Sequence, residues 1–172
     1  RAARYLVEAT VLAEQATLAS VNELAEDTKK VGDHVAALQK MIEGVGQQHL
    51  TALEVHMNAA AARLGTAPAR LRLTDLERRA GRIVPKPTER VRATGYRGYQ
   101  QALNAVPESE RARFPVGRGQ IASTTELQLL CNGTFSALDI KKLLDAQFQN
   151  PSDLQAVLNH LELLKLAGLV DF

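Results

Sequence analysis

Residues 123–172 read STTELQLLCNG (123–133), TFSALDIKKLLDAQFQN (134–150), PSDLQAVLNHLELLKLAG (151–168) and LVDF (169–172). Each of the first three pieces carries apolar residues at helical spacing and ends in a turn signal, and the fourth reads as a short strand. Three short helices and a closing strand, with one turn between each pair, form the pattern of a winged-helix or helix-turn-helix unit. Ser123 or Thr124 can cap the first helix, with Leu127, Leu129 and Leu130 as its core face. Ser136 caps the second, and Asp139 takes the place of the usual Glu in a capping box. Leu138, Ile140, Leu143, Leu144 and Phe148 are its expected core. Pro151 is expected at the first position of the third helix with Asp153 in its first turn, and Leu154, Val157, Leu158, Leu161, Leu164 and Leu166 make that helix apolar around much of its surface. Gly168 ends it. The chain runs only to Phe172, so the wing hairpin of this pattern is missing or rudimentary.

Upstream, Ala2 to about Asp27 contains no Gly or Pro. Leu6, Val7, Val11, Leu18, Val21, Leu24 and Ala25 recur at helical spacing, which predicts a long amphipathic helix. A second helix is expected over Val31–Ile42, with Val31, Val35, Leu38, Met41 and Ile42 on one face. Gly44-Val45-Gly46 is expected to break it. A third helix is expected from Gln47 to Leu64, carrying Leu50, Leu53, Met57, Ala60, Ala61 and Leu64, with Gly65 as its C-cap. The fold class is therefore mainly α: an antiparallel helical stalk over 1–65, a basic Pro/Gly-interrupted connector over 66–122, and the winged-helix-like unit over 123–172.

The net charge of +2 conceals an asymmetry. Residues 1–62 carry 5 basic and 8 acidic side chains, residues 63–118 carry 13 and 5, and residues 119–172 carry 3 and 6. Arg70, Arg72, Arg78, Arg79, Arg82 and Arg97 in the connector are the candidate contacts for nucleic acid or an acidic partner. Tyr96 and Tyr99 flank Arg97 in GYRGYQ, and basic residues interleaved with aromatics can serve nucleic acid through charge and stacking. The same composition suits a connector whose arginines pair with acidic helices of its own or a neighbouring domain, so the pattern alone leaves both open. Its length is that of a segment wrapped on a packed surface. Short helices are expected at Thr74–Arg82, where Thr74 and Glu77 form a capping box, and at Pro107–Arg113.

No constellation for chemistry stands out. His49 and His56 lie seven apart with Leu53 where a third ligand would fall, and neither HExxH nor CxxC spacing occurs. They read as helix histidines, while His34 and His160 are isolated, so neither a catalytic residue, a cofactor nor a metal is assigned to this chain. The one cysteine, Cys131, lies in an apolar run and reads as a buried structural thiol. No apolar run reaches the roughly 18–20 residues of a membrane span and no signal peptide is visible, so a cytoplasmic protein is expected. The chain begins at Arg1 inside an apparent helix, as a piece of a longer polypeptide would. The third helix offers Gln155, Asn159, His160 and Lys165 to a duplex, but beside Asp153 and Glu162, and an acidic unit repels phosphates.

RAARYLVEATVLAEQATLAS (1–20) resembles the last helix of the catalytic domain in bacterial zinc aminopeptidases of peptidase clan MH. LQLLCNGTFSALDIKKLLDAQF (127–148) together with DLQAVLNHLELLKLAGLV (153–170) resembles a winged-helix-type segment appended at the C-terminus of some such peptidases. The resemblance implies a parent di-zinc exopeptidase whose His, Asp and Glu ligands and glutamate base would lie upstream of Arg1, so none of them is carried onto this chain. It implies a non-catalytic, C-terminal structural or protein-interaction region whose partner is the parent domain or a second copy. The alternatives are a winged-helix DNA-binding regulator and a free-standing dimerisation module.

Overall fold

The computed structural model describes residues 1–25, 28–68, 70–148 and 150–172. It is mainly helical, as the sequence predicts: nine helices and one two-stranded sheet occur among the described residues. In chain order these are α1 (Ala2–Leu24), α2 (Thr28–Arg63), α3 (Asp75–Ala80), β1 (Lys86–Pro87), α4 (Glu89–Thr94), α5 (Tyr99–Ala105), α6 (Glu108–Arg111), α7 (Thr124–Leu130), α8 (Ala137–Phe148), α9 (Leu154–Leu166) and β2 (Val170–Asp171). Among the described residues no helix is long and apolar enough to cross a membrane. The chain divides into two compact units, Arg1–Arg72 and Leu73–Phe172. Most of the expected connector thus belongs to the same compact body as the terminal helices.

The first unit is a pair of long helices, α1 against α2. The expected break at Gly44-Val45-Gly46 does not occur, and α2 runs through it. Gly46 explains why a residue that weakens helices sits there. It is buried against α1, and a Cβ on it would lie 2.4 Å from Cγ2 of Val11. The glycine lets two backbones approach closely, which offsets its cost of about 1 kcal/mol in a helix interior. Gly65 fulfils its expected role: at φ +64° it follows α2, with Thr66 N–H donating to Ala61 C=O (3.0 Å) and Gly65 N–H to Ala62 C=O (3.1 Å). That is the Schellman pairing of a helix end. The expected apolar faces are wider than what two helices can bury. Ala9, Val35 and Ala61 are buried, while Leu6, Val21, Leu24, Leu38, Met41 and Leu64 are exposed. The expected end of the first helix near Asp27 lies outside the described residues.

The second unit holds the larger core. Leu127, Ile140, Leu144, Val157, Leu161, Leu164, Leu169 and Val170 are buried together with Cys131, and Pro85 joins them from the connector. The helix signals hold locally. Thr74 Oγ1 accepts from Glu77 N–H (3.2 Å) and the Glu77 carboxylate from Thr74 N–H (2.7 Å). Ser123 Oγ accepts from Glu126 N–H (3.2 Å). Ser136 and Asp139 exchange the reciprocal bonds of a capping box, each 3.2 Å. Gly168, at φ +68°, ends α9, with Leu169 N–H donating to Leu164 C=O (2.9 Å) and Gly168 N–H to Lys165 C=O (2.9 Å). Three details differ from expectation. Leu129 is 63% exposed because α7 buries Leu127 and Gln128, with Cys131 buried at its C-cap, and Phe148 and Leu166 are exposed at helix ends. Pro151 stands ahead of the third helix rather than in it, and Asp153 is the N-cap, accepting from Ala156 N–H (3.0 Å). Helices α4 and α5 arise where short Gly-bounded runs gave no periodic signal.

The terminal strand finds its partner in the connector. β1 and β2 pair antiparallel, Lys86 opposite Asp171 and Pro87 opposite Val170. The same strap continues along the helices: Ala137 N–H donates to Ile83 C=O (2.8 Å), Gly133 N–H to Pro85 C=O (2.9 Å) and Thr88 N–H to Leu169 C=O (3.2 Å). Thr88 Oγ1 donates to Gly168 C=O (3.0 Å). Gly133 sits at φ +83°, and a Cβ on it would press on Lys86 Cβ at 3.3 Å, so glycine there serves both the turn and the strap.

Two stability measurements follow. Gly46→Ala should destabilise the chain by about 1–3 kcal/mol, because stiff Val11 blocks the new methyl group. Gly32→Ala, with open space around it, should stabilise by about 0.5–1 kcal/mol. Equal shifts of the urea midpoint for the two would mean that α1 and α2 do not meet at Gly46. Leu161→Asp places a carboxylate in the core of the second unit and should cost several kcal/mol, read as a large loss in the thermal melt. An unchanged melt would show the phase of α9 to be different.

Candidate functional site

The six candidate arginines are divided between the two units. Arg70 and Arg72 belong to the first, and both are exposed. Arg70 lines an open hollow of about 590 Å³ with Arg4, Glu54, Leu53, Met57 and Leu71. Arg4 is held there by Glu8 (2.8 Å), whose hydrogen bond is the main cause of its raised pKa. Arg72 contributes its carbonyl, which accepts from Arg1 Nη2 (2.9 Å).

The structure brings Arg78, Arg79 and Arg82 together. They line a hollow of about 430 Å³ with Asp75 and Ile83. Spacing does this: residues 78, 79 and 82 fall on the last turn of α3 and the turn after it. Arg78 is held by Asp75 and by Leu73 C=O (2.5 Å). Arg79 reaches Glu162 of α9 (3.9 Å). Arg82 is exposed and forms an ion pair with none of the described residues. These exposed pairs contribute roughly 0–1 kcal/mol each, so an anionic partner could take the guanidinium groups at small cost. Arg97 is exposed and distant in sequence from this cluster, at the turn between α4 and α5.

The aromatic residues beside Arg97 turn inward. Tyr96 Oη donates to Gln128 C=O (2.9 Å), and Tyr99 Oη shares a hydrogen bond with His160 Nε2 (3.3 Å), their rings 6.4 Å apart. Burial raises the pKa of both phenols, for Tyr99 against a lowering hydrogen bond from Gln128. Stacking on bases needs exposed ring faces, and these rings are half-buried with their hydroxyls engaged. Nothing local in the sequence marks Gln128 or His160 as their partner.

The third helix is enclosed in the same way. α9 packs on α3, α5, α8 and β2. His160 is buried, and burial lowers its pKa to about 4. Asn159 Nδ2 donates to Pro115 C=O (2.8 Å), and Gln155 Nε2 donates to Asn159 Oδ1 (2.8 Å). Lys165 Nζ donates to Phe172 C=O (2.7 Å) and lies 4.3 Å from the Phe172 ring centroid. All four side chains that a duplex-reading helix would present therefore have partners inside the unit. Two further bonds tie the connector to the start of α9: Asp153 N–H to Gln120 C=O (2.8 Å) and Ala122 N–H to Ser152 Oγ (3.1 Å).

Groups suited to covalent or metal chemistry are dispersed. Cys131 is buried, its Sγ donates to Leu127 C=O (3.2 Å), and burial pushes its pKa up to about 12. It is a protonated, inert thiol at neutral pH. His49 and His56 are exposed on α2. Among the described residues no three His, Cys, Asp or Glu side chains gather as a metal-binding group. Comparison of the chain with protein-family models, curated proteins and solved structures finds no match.

Buried His160 makes acid stability a measurable property. Its folded pKa of about 4 lies below the ordinary histidine value of 6.5. As pH falls through 6.5 the unfolded chain takes up a proton that the folded chain refuses until about pH 4. Stability is therefore full above pH 6.5 and is lost progressively down to 4, by on the order of 3 kcal/mol at most. His160→Gln should flatten that window in urea melts taken at successive pH values. An undiminished slope would place the titrating group elsewhere.

Proposed function

We propose that this chain is a non-catalytic structural and protein-interaction region, with a winged-helix-like terminal unit, accompanying the catalytic domain of a zinc aminopeptidase-like protein. The observation that carries the first part is the enclosure of α9. A duplex-reading helix must hold its polar side chains ready for bases and phosphates, and here Asn159, His160 and Lys165 bind Pro115, Tyr99 and Phe172. Charge supports the same reading. The compact unit from Leu73 to Phe172 carries 13 basic and 11 acidic side chains. The positive excess of the connector is largely balanced once it folds with the acidic helices, leaving a weak attraction for a phosphate backbone.

The association with a peptidase rests on the resemblance of residues 1–20 and 127–170. On this reading zinc, its ligands and the reacting groups belong to a domain upstream of Arg1. The present chain supplies packing surface, with the arginine cluster at Arg78, Arg79 and Arg82 as the place where an acidic protein segment would dock.

The two parts are tested separately. In a salt series with duplex DNA, the chain should show no binding at physiological salt. Any binding at low salt should be sequence-tolerant, fall with a slope of about 0.9 per phosphate contacted, and weaken with Arg78→Ala/Arg79→Ala. Salt-resistant, sequence-selective binding lost only with Asn159→Ala/Lys165→Ala would overturn this part and restore the DNA-binding regulator. For the second part, the reading frame upstream of Arg1 should encode the His, Asp and Glu ligand set of a di-zinc peptidase. An upstream region without it would remove the peptidase association and leave the packing argument standing.

A further inference from the structure

The outward face of α2 is uncharged over most of its length. Projected at 100° per residue, the arc of α2 centred on Gln48 holds no Asp, Glu, Lys or Arg from His34 to Ala62, the charged residues of that stretch lying outside it. The arc lies opposite the side on which Val35, Gly46 and Ala61 are buried, and it is open to solvent: Met41 is 65% exposed, Val55 60% and Val45 51%. Thr51 does not make it polar, since its hydroxyl donates to Gln47 C=O of the same helix (2.9 Å). A surface helix normally keeps its charges on the solvent side. The unit also has little core of its own, with Ala9, Val35 and Ala61 as its buried hydrophobic residues among those described.

We propose that this face of α2 is a homodimer interface, in which it packs antiparallel on the same face of a second copy about a two-fold axis near Gln48. The order of side chains carries the choice of occupant. Counted outward from Gln48, Met41 and Val55 stand seven residues away on either side, Gly44 and Ala52 four, and Ala37 and Ala59 eleven. A two-fold axis at Gln48 therefore sets Met41 of one copy against Val55 of the other. It sets Gly44 against Ala52 and Ala37 against Ala59, small on small, where backbones can approach closely. The axis brings the two Gln48 amides together, and each offers both a donor and an acceptor. Isologous contacts of this kind require a self-complementary surface.

Charge selects the antiparallel direction. Lys40, eight residues before Gln48, and Glu54, six after it, are exposed on the same flank of α2 beside the arc. Antiparallel pairing keeps that flank of both copies on one side of the seam and brings Lys40 of each copy toward Glu54 of the other, whereas parallel pairing puts the two flanks on opposite sides and leaves both charges without a partner. The area places the contact in a size class. The arc is ~40 Å long and ~10 Å wide, so two copies bury on the order of 800 Å² in footprint, near the lower bound of about 1,000 Å² for a specific interface. The dimer is accordingly weak and reversible. It involves the first unit alone and stands whether or not a peptidase domain accompanies the chain.

The test uses the full chain. Sedimentation velocity over a wide concentration range should show monomer passing to dimer, and Val55→Asp should hold the chain monomeric with an unchanged circular dichroism spectrum. Independently of that variant's folding, Gln48→Cys should give a disulfide-linked dimer under mild oxidation and His34→Cys should not, because antiparallel pairing separates the two His34 positions. Linkage through His34→Cys would overturn the arrangement. A chain that stays monomeric at all concentrations and does not link through Gln48→Cys would overturn the proposal and give this face to a different protein.

Discussion

The second unit depends on a strap of six residues, Ile83 to Thr88, held against the terminal helices by backbone hydrogen bonds. A two-residue bridge such as β1–β2 has little stability by itself. What holds the strap is the need to pair polar groups that helix formation leaves over. Ala137 N–H, in the first turn of α8, lacks an intrahelical acceptor and receives Ile83 C=O. Gly133 N–H, in the turn between α7 and α8, receives Pro85 C=O, and the carbonyls of Gly168 and Leu169 take the hydroxyl and amide of Thr88. Proline suits Pro85, which is buried and donates nothing.

Once the strap is in place, the rest of the connector has a path along the unit. Helix α3 lies on α8 and α9, and α5 lies on α9. Tyr96 and Tyr99 close over Gln128 and His160, and Pro115 and Gln120 bond to the side chain and the start of the third helix. The consequence is a structural part for α9. It is the central strut on which the connector is wound.

How much of this was legible in the sequence divides along one physical line. Features decided within five or six residues were readable. Thr74 with Glu77, Ser136 with Asp139, Ser123, Gly65 and Gly168 all act as their local chemistry predicts, because both partners of each bond lie in the same short stretch. Features decided by distant contacts were not. Gly44-Val45-Gly46 reads as a break, and only Val11 across the helix pair gives Gly46 a reason to be helical. Leu129 reads as core until Leu127 and Gln128 are seen to take the inner face of α7. The arginine cluster was half legible: Arg78, Arg79 and Arg82 are adjacent through helical spacing, whereas Arg70 and Arg72, close to them in sequence, belong to the other compact unit, and Arg97 lies at a separate turn. The inward turn of the tyrosines depends on residues 32 and 61 positions away.

The strap also orders the events by which the unit can form. Thr88 and its acceptor Gly168 are 80 residues apart, and a chain made from its N-terminus presents the strap long before the strand that pairs with it. Loop-closure entropy rises only slowly with length, by about 0.6 kcal/mol per doubling, yet contacts of such separation slow folding because the loop must close before they contribute. The capped helices α7, α8 and α9 can therefore gather first, from local signals. Until β2 emerges, β1 is an unpaired edge with Pro87 in it, and a proline on an edge discourages pairing with other chains. The residue that withholds a donor from the finished sheet thus also shields the nascent chain.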